Sequence, residues 1–337
     1  MAESELPPQQ VVMQWITSIW ATRAAAAFAR LHGPDKLAYG PLTSTELARA
    51  MNVDLDALRR LLRALGPLGI VARSDAERWH LGDVGQLLRS DVPGSLRSLL
   101  LIESAPAHYL PWGQCEHSIR TGQPATGPAL GGDIWSYYER HADEAREFAD
   151  AMTGISALST GAAIAAYDFS QARSVVDVAG SHGAFLSAVL RQVPDARGIL
   201  FDLPQVIDDA YAPALAADVA ARIDKRSGSF FEAVPSGADT YLLKHILHDW
   251  NDDDCVRILR VLATAMPKTA RLVVVELLLD DHGPGPYVDL NMLVMLAGRE
   301  RSLPEFGELF DRASLRLAKH VSTSSPYVVL EVRHAGA

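Results

Sequence analysis

Two hydrophobic periods run along this chain, and they change over near Arg173. In the first stretch, Val12, Trp15, Ile16 and Ile19 recur at helical spacing, which predicts a helix with one apolar face. That face could pack on its own domain or against a partner chain, because two tryptophans, Trp15 and Trp20, are a heavy apolar load for a terminal helix. In LTSTELARAMNVDLDALRRLLRALGPLGIV, Thr43 or Ser44 can cap one helix, a turn falls near Asn52, and Leu58, Leu61, Leu62 and Leu65 line a second. A short hairpin is expected around VARSDAERWHLGD. Trp112, Trp135, Tyr137, Tyr138, Phe148 and Met152 could line a flat apolar pocket or simply fill a core.

From Arg173 onward, short β-branched runs alternate with helical segments. RSVVDVAG, RGILFD, ARIDKRS, DTYLL and ARLVVVELL read as strands, GAFLSAVLRQV and LPQVIDDAYAPALAA as helices, and LRLAKHV with YVVLEVR as a last strand pair. This pattern predicts an open, parallel α/β sheet. Ligands of such sheets bind beyond the carboxyl ends of the strands, where Asp177, Asp202, Ser229, Lys244 to Asp249 and Glu276 are expected. The chain is accordingly divided into residues 1–110, helical and winged-helix-like, and residues 111–337, the sheet domain.

A winged-helix pattern raises the question of DNA. Between Thr43 and Leu99 there are eight arginines and seven acids, which is not the basic stripe a DNA reader needs. The whole chain carries a formal charge of −10, so neither nucleic acid nor an anionic membrane is an expected partner. The two cysteines, Cys115 and Cys255, form no close pair and suit a reducing compartment. The start MAESELPPQQ lacks the basic character of a secretory signal, and polar residues interrupt every long apolar run. A soluble cytoplasmic protein is expected.

Candidate chemistry concentrates in two places. In VVDVAGSHGAFL, Gly180 and Gly183 flank a strand-to-helix turn, and Asp202 closes the next strand 19 residues beyond Gly183. That is the usual distance for an acid that grips ribose hydroxyls. Asp177 would repel a phosphate there, so a nucleoside with a cationic amino-acid end, S-adenosylmethionine, suits the turn better than a pyrophosphate cofactor. In LLKHILHDWNDDDC, two histidines are followed by four acids. Asn251 or Asp252 is expected to cap a helix whose first turn carries the acids. A metal site joining His245, His248 and these acids is disfavoured, because adjacent offsets do not aim them at one point.

The segments VVDVAGSHGAFL, GILFDLPQVID, SGSFFEAVPSGADTYLLKHILHDWNDDDCVRIL, ARLVVVELLL and MLAGRERSLPEF succeed one another in an order that resembles the small-molecule O-methyltransferases acting on plant phenolics and bacterial polyketides. The resemblance covers the whole sheet half and extends to a dimerising front end. It implies a Rossmann-like seven-stranded methyltransferase sheet, S-adenosylmethionine as cofactor, a homodimer and an aromatic or polyketide-like acceptor. It places Asp177, Gly180 and Gly183 along the methionine part of the cofactor, Asp202 at the ribose, Ser229 and Phe230 at the adenine, and Lys244 at the closing wall. It makes His248 the general base, held between Glu276 and Glu300, with Asp249 beside it and Asn291, Met292 and Met295 near the acceptor.

Elementary chemistry agrees, since a neutral phenol is a poor nucleophile until a positioned imidazole takes its proton. Other readings of these residues are a loop-end histidine, a water-exposed Glu276 and a Glu300 paired with Arg299 or Arg301. The sequence departs from the family's turn at Ala179 and Ser181, where glycines are usual, and at Ser229, where an aspartate is usual. A Cβ at the first two positions strains the turn if φ is positive, and weak cofactor binding or a repurposed pocket would follow. A methyltransferase-like enzyme catalysing a rearrangement, elimination or hydroxylation, with the cofactor structural, is the alternative; a ligand-sensing regulator is disfavoured by the charge balance.

Overall fold

A computed structural model describes residues 6–74, 77–92, 94–208, 217–280 and 285–336. It divides into two compact units, residues 1–110 with 135–154, and residues 111–134 with 155–337. A single cut after residue 110 is therefore corrected: the chain returns to the first unit over residues 135–154.

In the first unit, Pro8–Arg30 forms the long opening helix. Thr43 caps the helix Ser44–Met51 through a reciprocal pair: its Oγ1 accepts from the Glu46 N–H while Glu46 accepts from its own N–H. Asn52, at φ +56°, ends that helix, as its short amide side chain allows. Leu58, Leu62 and Leu65 of the helix Leu55–Leu65 are buried with Phe28, Leu47 and Trp79. Strands β1 (Leu42–Thr43), β2 (Val71–Arg73) and β3 (Arg78–Leu81) form an antiparallel sheet in the order β1-β3-β2. The tip of the expected hairpin, residues 75 and 76, lies outside the described residues. On the opening helix, only Ala25, Ala26, Phe28 and Ala29 are buried; Val12, Trp15, Ile16 and Ile19 lie exposed.

The aromatic residues that could line a flat pocket or fill a core are divided between the two units. Trp135, Tyr138 and Phe148 pack ring to ring in the first unit, with centroids 5.1–6.4 Å apart. Trp112 belongs to the second.

The second unit is built on seven strands: β4 (Ser174–Val178), β5 (Arg197–Asp202), β6 (Ile223–Ser227), β7 (Thr240–Lys244), β8 (Arg271–Leu277), β9 (Leu315–Ser322) and β10 (Tyr327–His334). Their order is β6-β5-β4-β7-β8-β10-β9. The first five are parallel and the last two add as an antiparallel edge. Alternation along the strands splits the core. Val176, Val178, Tyr241 and Leu243 face one layer, whereas Val175, Leu242 and Val273 face the other. This two-sided burial explains why the strands read as unbroken apolar runs. The segment LPQVIDDAYAPALAA contains a short helix, Pro204–Ile207, and the first residue of another, Ala217–Ala220; residues 209–216 lie outside the described residues.

Candidate active site

Because β4, β5, β7 and β8 are parallel, their carboxyl ends bring Asp177, Asp202, Lys244 and Glu276 to one edge of the sheet. At the end of β4 the chain turns through Ala179, Gly180, Ser181, His182 and Gly183 into the helix Ala184–Gln192. Gly180 is required here because a Cβ would stand 2.6 Å from the Asp177 carboxyl and from Leu200. Gly183 sits at φ +75°, but Ala179 and Ser181 also have positive φ, +55° and +49°. The two departures from glycine thus fall on backbone that L side chains rarely adopt.

The turn is held by carboxylates. Asp202 accepts from the Ser181 N–H at 2.8 Å and the Leu203 N–H at 2.7 Å, although burial raises its pKa. Asp177 is buried and accepts from the Leu186 N–H. Burial pushes its pKa up to about 7, against the opposing pull of the Lys244 charge. Lys244, its own pKa lowered by burial, donates to Ser156 Oγ at 2.8 Å. Ser229 follows β6, and its hydroxyl accepts from the Phe231 N–H at 3.3 Å. Phe230 packs against Phe231 and edge-on to Trp250. This lining offers carboxylate acceptors for hydroxyl and ammonium groups.

His248 lies in the single helical turn Leu247–Asp249 after β7. Its Nδ1 is 2.9 Å from Glu300 Oε1 and its Nε2 3.4 Å from Asp249 Oδ1. Glu276 and Glu300 are both fully buried. Glu276 Oε1 accepts from the Ile246 and Leu247 N–H groups, fixing the start of the loop. Burial alone would depress the His248 ring, but the Glu276 charge, the Glu300 hydrogen bond and the charges of Asp249 and Glu300 outweigh it and push its pKa up to about 10. Burial pushes Glu276 up to about 7 against the His248 charge. One ligand-capable atom from each of His248, Glu276 and Glu300 lies within 4.8 Å of the others, a spacing a metal could also use.

The helix Gly285–Met295 carries Asn291, Met292 and Met295; both methionines are buried. The Trp112 indole donates to Asn291 Oδ1 at 2.8 Å, which fixes the amide so that its nitrogen remains a donor. Asp289 on the same helix accepts from the Glu300 N–H at 2.9 Å.

Residues 112–316 match the O-methyltransferase domain family, and residues 13–91 match the O-methyltransferase dimerisation domain. The chain belongs to the O-methyltransferase family. Among its relatives, a mitomycin biosynthesis 6-O-methyltransferase of Streptomyces lavendulae is 36% identical over 333 residues, 97% of this chain and 95% of the relative. A phenazine O-methyltransferase, PhzM, of Lysobacter antibioticus is 33% identical over 331 residues, 97% of each. A crystal structure of an O-methyltransferase from neocarzinostatin biosynthesis, in complex with S-adenosylmethionine and 2-hydroxy-5-methyl naphthoic acid, aligns with TM-score 0.78 and 32% identity over 93% of this chain and 95% of that one.

Within the methyltransferase, several expected alternatives fail. Glu300 pairs with His248, not with an arginine; Arg299 pairs with Glu305 and Arg301 with Asp252. Glu276 is buried, not water-exposed. Asn251 caps the helix Asp252–Ala265, and Cys255 is buried, its thiol pushed up to about 12 by burial. His245 is set at φ +56° with its ring 4.6 Å from that of Tyr327, and burial lowers its pKa well below the usual range. Sequence reasoning missed Ser156 and Trp112 as partners of Lys244 and Asn291, since both contacts span long chain separations. No helix among the described residues is long and apolar enough to cross a membrane.

Proposed function

We propose that the enzyme methylates a phenolic or polyketide-like hydroxyl of a natural product, with His248 as general base. Its cofactor is S-adenosylmethionine, which supplies a methyl group activated on a sulfonium. The carboxylates of Asp177 and Asp202 at the ends of β4 and β5 support that choice. Asp177, Gly180 and Gly183 would receive the amino-acid end, Asp202 the ribose hydroxyls, Ser229 and Phe230 the adenine, and Lys244 would close the wall.

The observation that carries the base assignment is the 2.9 Å contact from His248 Nδ1 to buried Glu300. A ring that donates from Nδ1 keeps its lone pair on Nε2, so Nε2 takes the hydroxyl proton as the oxygen attacks carbon. Glu300 then steadies the imidazolium formed. Glu276 and Asp249 add negative charge around the same ring. Asn291, Met292 and Met295 would contact the acceptor, the amide nitrogen of Asn291 serving as donor. The exposed face of the opening helix supports a homodimer, and the free cysteines Cys115 and Cys255 support a reducing compartment, the cytoplasm.

Incubation with methyl-labelled S-adenosylmethionine and a panel of hydroxylated aromatic and polyketide compounds tests the proposal. Label should appear on a hydroxyl oxygen of one compound and fall about 10²- to 10⁴-fold in His248→Ala. Product without label, or undiminished transfer in the variant, would overturn it.

A further inference from the structure

One buried charge is spent on neither the cofactor lining nor the base. Arg301 is among the largest fully buried side chains of the protein. Its guanidinium donates to the Leu247 carbonyl at 2.8 Å, the Trp250 carbonyl at 2.8 Å and Asp252 Oδ1 at 2.8 and 3.0 Å. Those two carbonyls bracket His248 and Asp249. Between them, the His248 carbonyl accepts from the Arg299 N–H at 2.9 Å. Gly298 allows that approach, because a Cβ there would fall 2.0 Å from the His248 oxygen.

The segment 298–301 therefore grips three of the four carbonyls over residues 247–250, and Glu300, the hydrogen-bond partner of His248, sits inside it. A buried guanidinium is costly unless every donor it buries finds a partner. Here two of its bonds join the turn that carries the imidazole to the segment that carries the carboxylate, and two more reach Asp252 at the start of the next helix.

We propose that Arg301 is a positioning residue that sets the distance between His248 and Glu300 by clamping the Leu247–Trp250 turn against the Gly298–Arg301 segment. The role rests on the reading of His248 as base. Only a planar fork reaches two carbonyls and a carboxylate at once, so lysine, with its point-like ammonium, does not replace it. Asp252 fixes the fork from the exposed end.

The experiment compares Arg301→Lys, Asp252→Ala and, as a surface control, Arg312→Ala, whose guanidinium pairs with Asp253 on the neighbouring exposed surface. Three readouts are taken on the full chain: kcat and cofactor KM, the alkaline limb of the pH–rate profile, and the low-field NMR resonance of the His248 Nδ1–H. Arg301→Lys should lower kcat about tenfold to a hundredfold, leave cofactor KM within about twofold, move the limb to lower pH and shift the resonance upfield. Asp252→Ala should do the same to a smaller extent and carries the test if the lysine variant does not fold. Variants that melt earlier but keep both the limb and the resonance would reduce Arg301 to a structural residue and overturn the proposal. A wrong base assignment would look different: His248→Ala would keep turnover while the resonance still answered to Arg301→Lys.

Discussion

His248 Nδ1 stands 2.9 Å from Oε1 of Glu300, a carboxylate with no exposed surface. An acid sealed from water in this way cannot turn to solvent, so its charge is directed at the ring. With Glu276 also buried nearby, the imidazole and a carboxyl compete for a proton: the ring is pushed up to about 10 and Glu276 up to about 7.

That competition has a direct consequence for pH dependence. A base works only when unprotonated, and the ring's pKa is raised, so turnover should climb with pH through the alkaline range instead of levelling off near 7. Glu276→Gln removes the charge that does most to hold the proton on the ring, while the amide oxygen still accepts from the Ile246 and Leu247 N–H groups. The limb of the kcat profile should move to lower pH by about one unit or more, a unit being about 1.4 kcal/mol of interaction. An unmoved limb in Glu276→Gln would show that another group titrates.

Much of this arrangement was legible in residue order. Strand-end acids such as Asp177 and Asp202 stand out because parallel strands present their carboxyl ends together, and Thr43 and Asn251 announce helix starts by local chemistry. What was not legible depends on tertiary placement. Nothing in GRER says that one arginine is exposed and the other buried, because burial of Arg301 is decided by a turn some fifty residues away. The sign of φ at Ala179 is equally hidden: an alanine after a strand is ordinary, and only the built turn makes it strained. Residues 135–154 carry no composition change that would assign them to the first unit.

The strain at Ala179 leads to a stability prediction. A non-glycine residue at φ +55° costs about 1–3 kcal/mol, and glycine at the same position gives back roughly 0.5–1 kcal/mol through its more flexible unfolded chain. Ala179→Gly should therefore stabilise the fold by about 1 kcal/mol and raise Tm by roughly 2 °C. Calorimetric titration of S-adenosylmethionine on the same variant would show whether relieving the turn also tightens binding. A lower Tm would mean that the alanine methyl makes contacts worth more than the strain.

Metal chelation separates the two chemistries open to His248, Glu276 and Glu300. If the cluster moves a proton, exhaustive treatment with EDTA followed by removal of the chelator should leave kcat unchanged within about twofold. A loss of tenfold or more, restored by one divalent ion, would assign the three side chains to that ion, since losing a metal from such a site removes its Lewis acidity outright.

The opening helix supplies the last prediction. Trp15, Ile16, Ile19 and Trp20 are each at least half exposed, and all four fall within the stretch matched to the dimerisation domain. Apolar residues grouped in this way mark an interface in place of a solvated face. Two of them carry the test: if this face pairs two copies about a two-fold axis, Trp15→Glu with Ile19→Glu would place four like charges in the interface. Burying unpaired carboxylates there costs several kcal/mol, enough to raise the dimer Kd by at least about a hundredfold. Sedimentation velocity at micromolar concentration should show a dimer for the parent chain and a monomer for the double variant, with the far-ultraviolet circular dichroism of both alike. A parent chain that sediments as a monomer, or a double variant that remains dimeric, would remove this face from the interface.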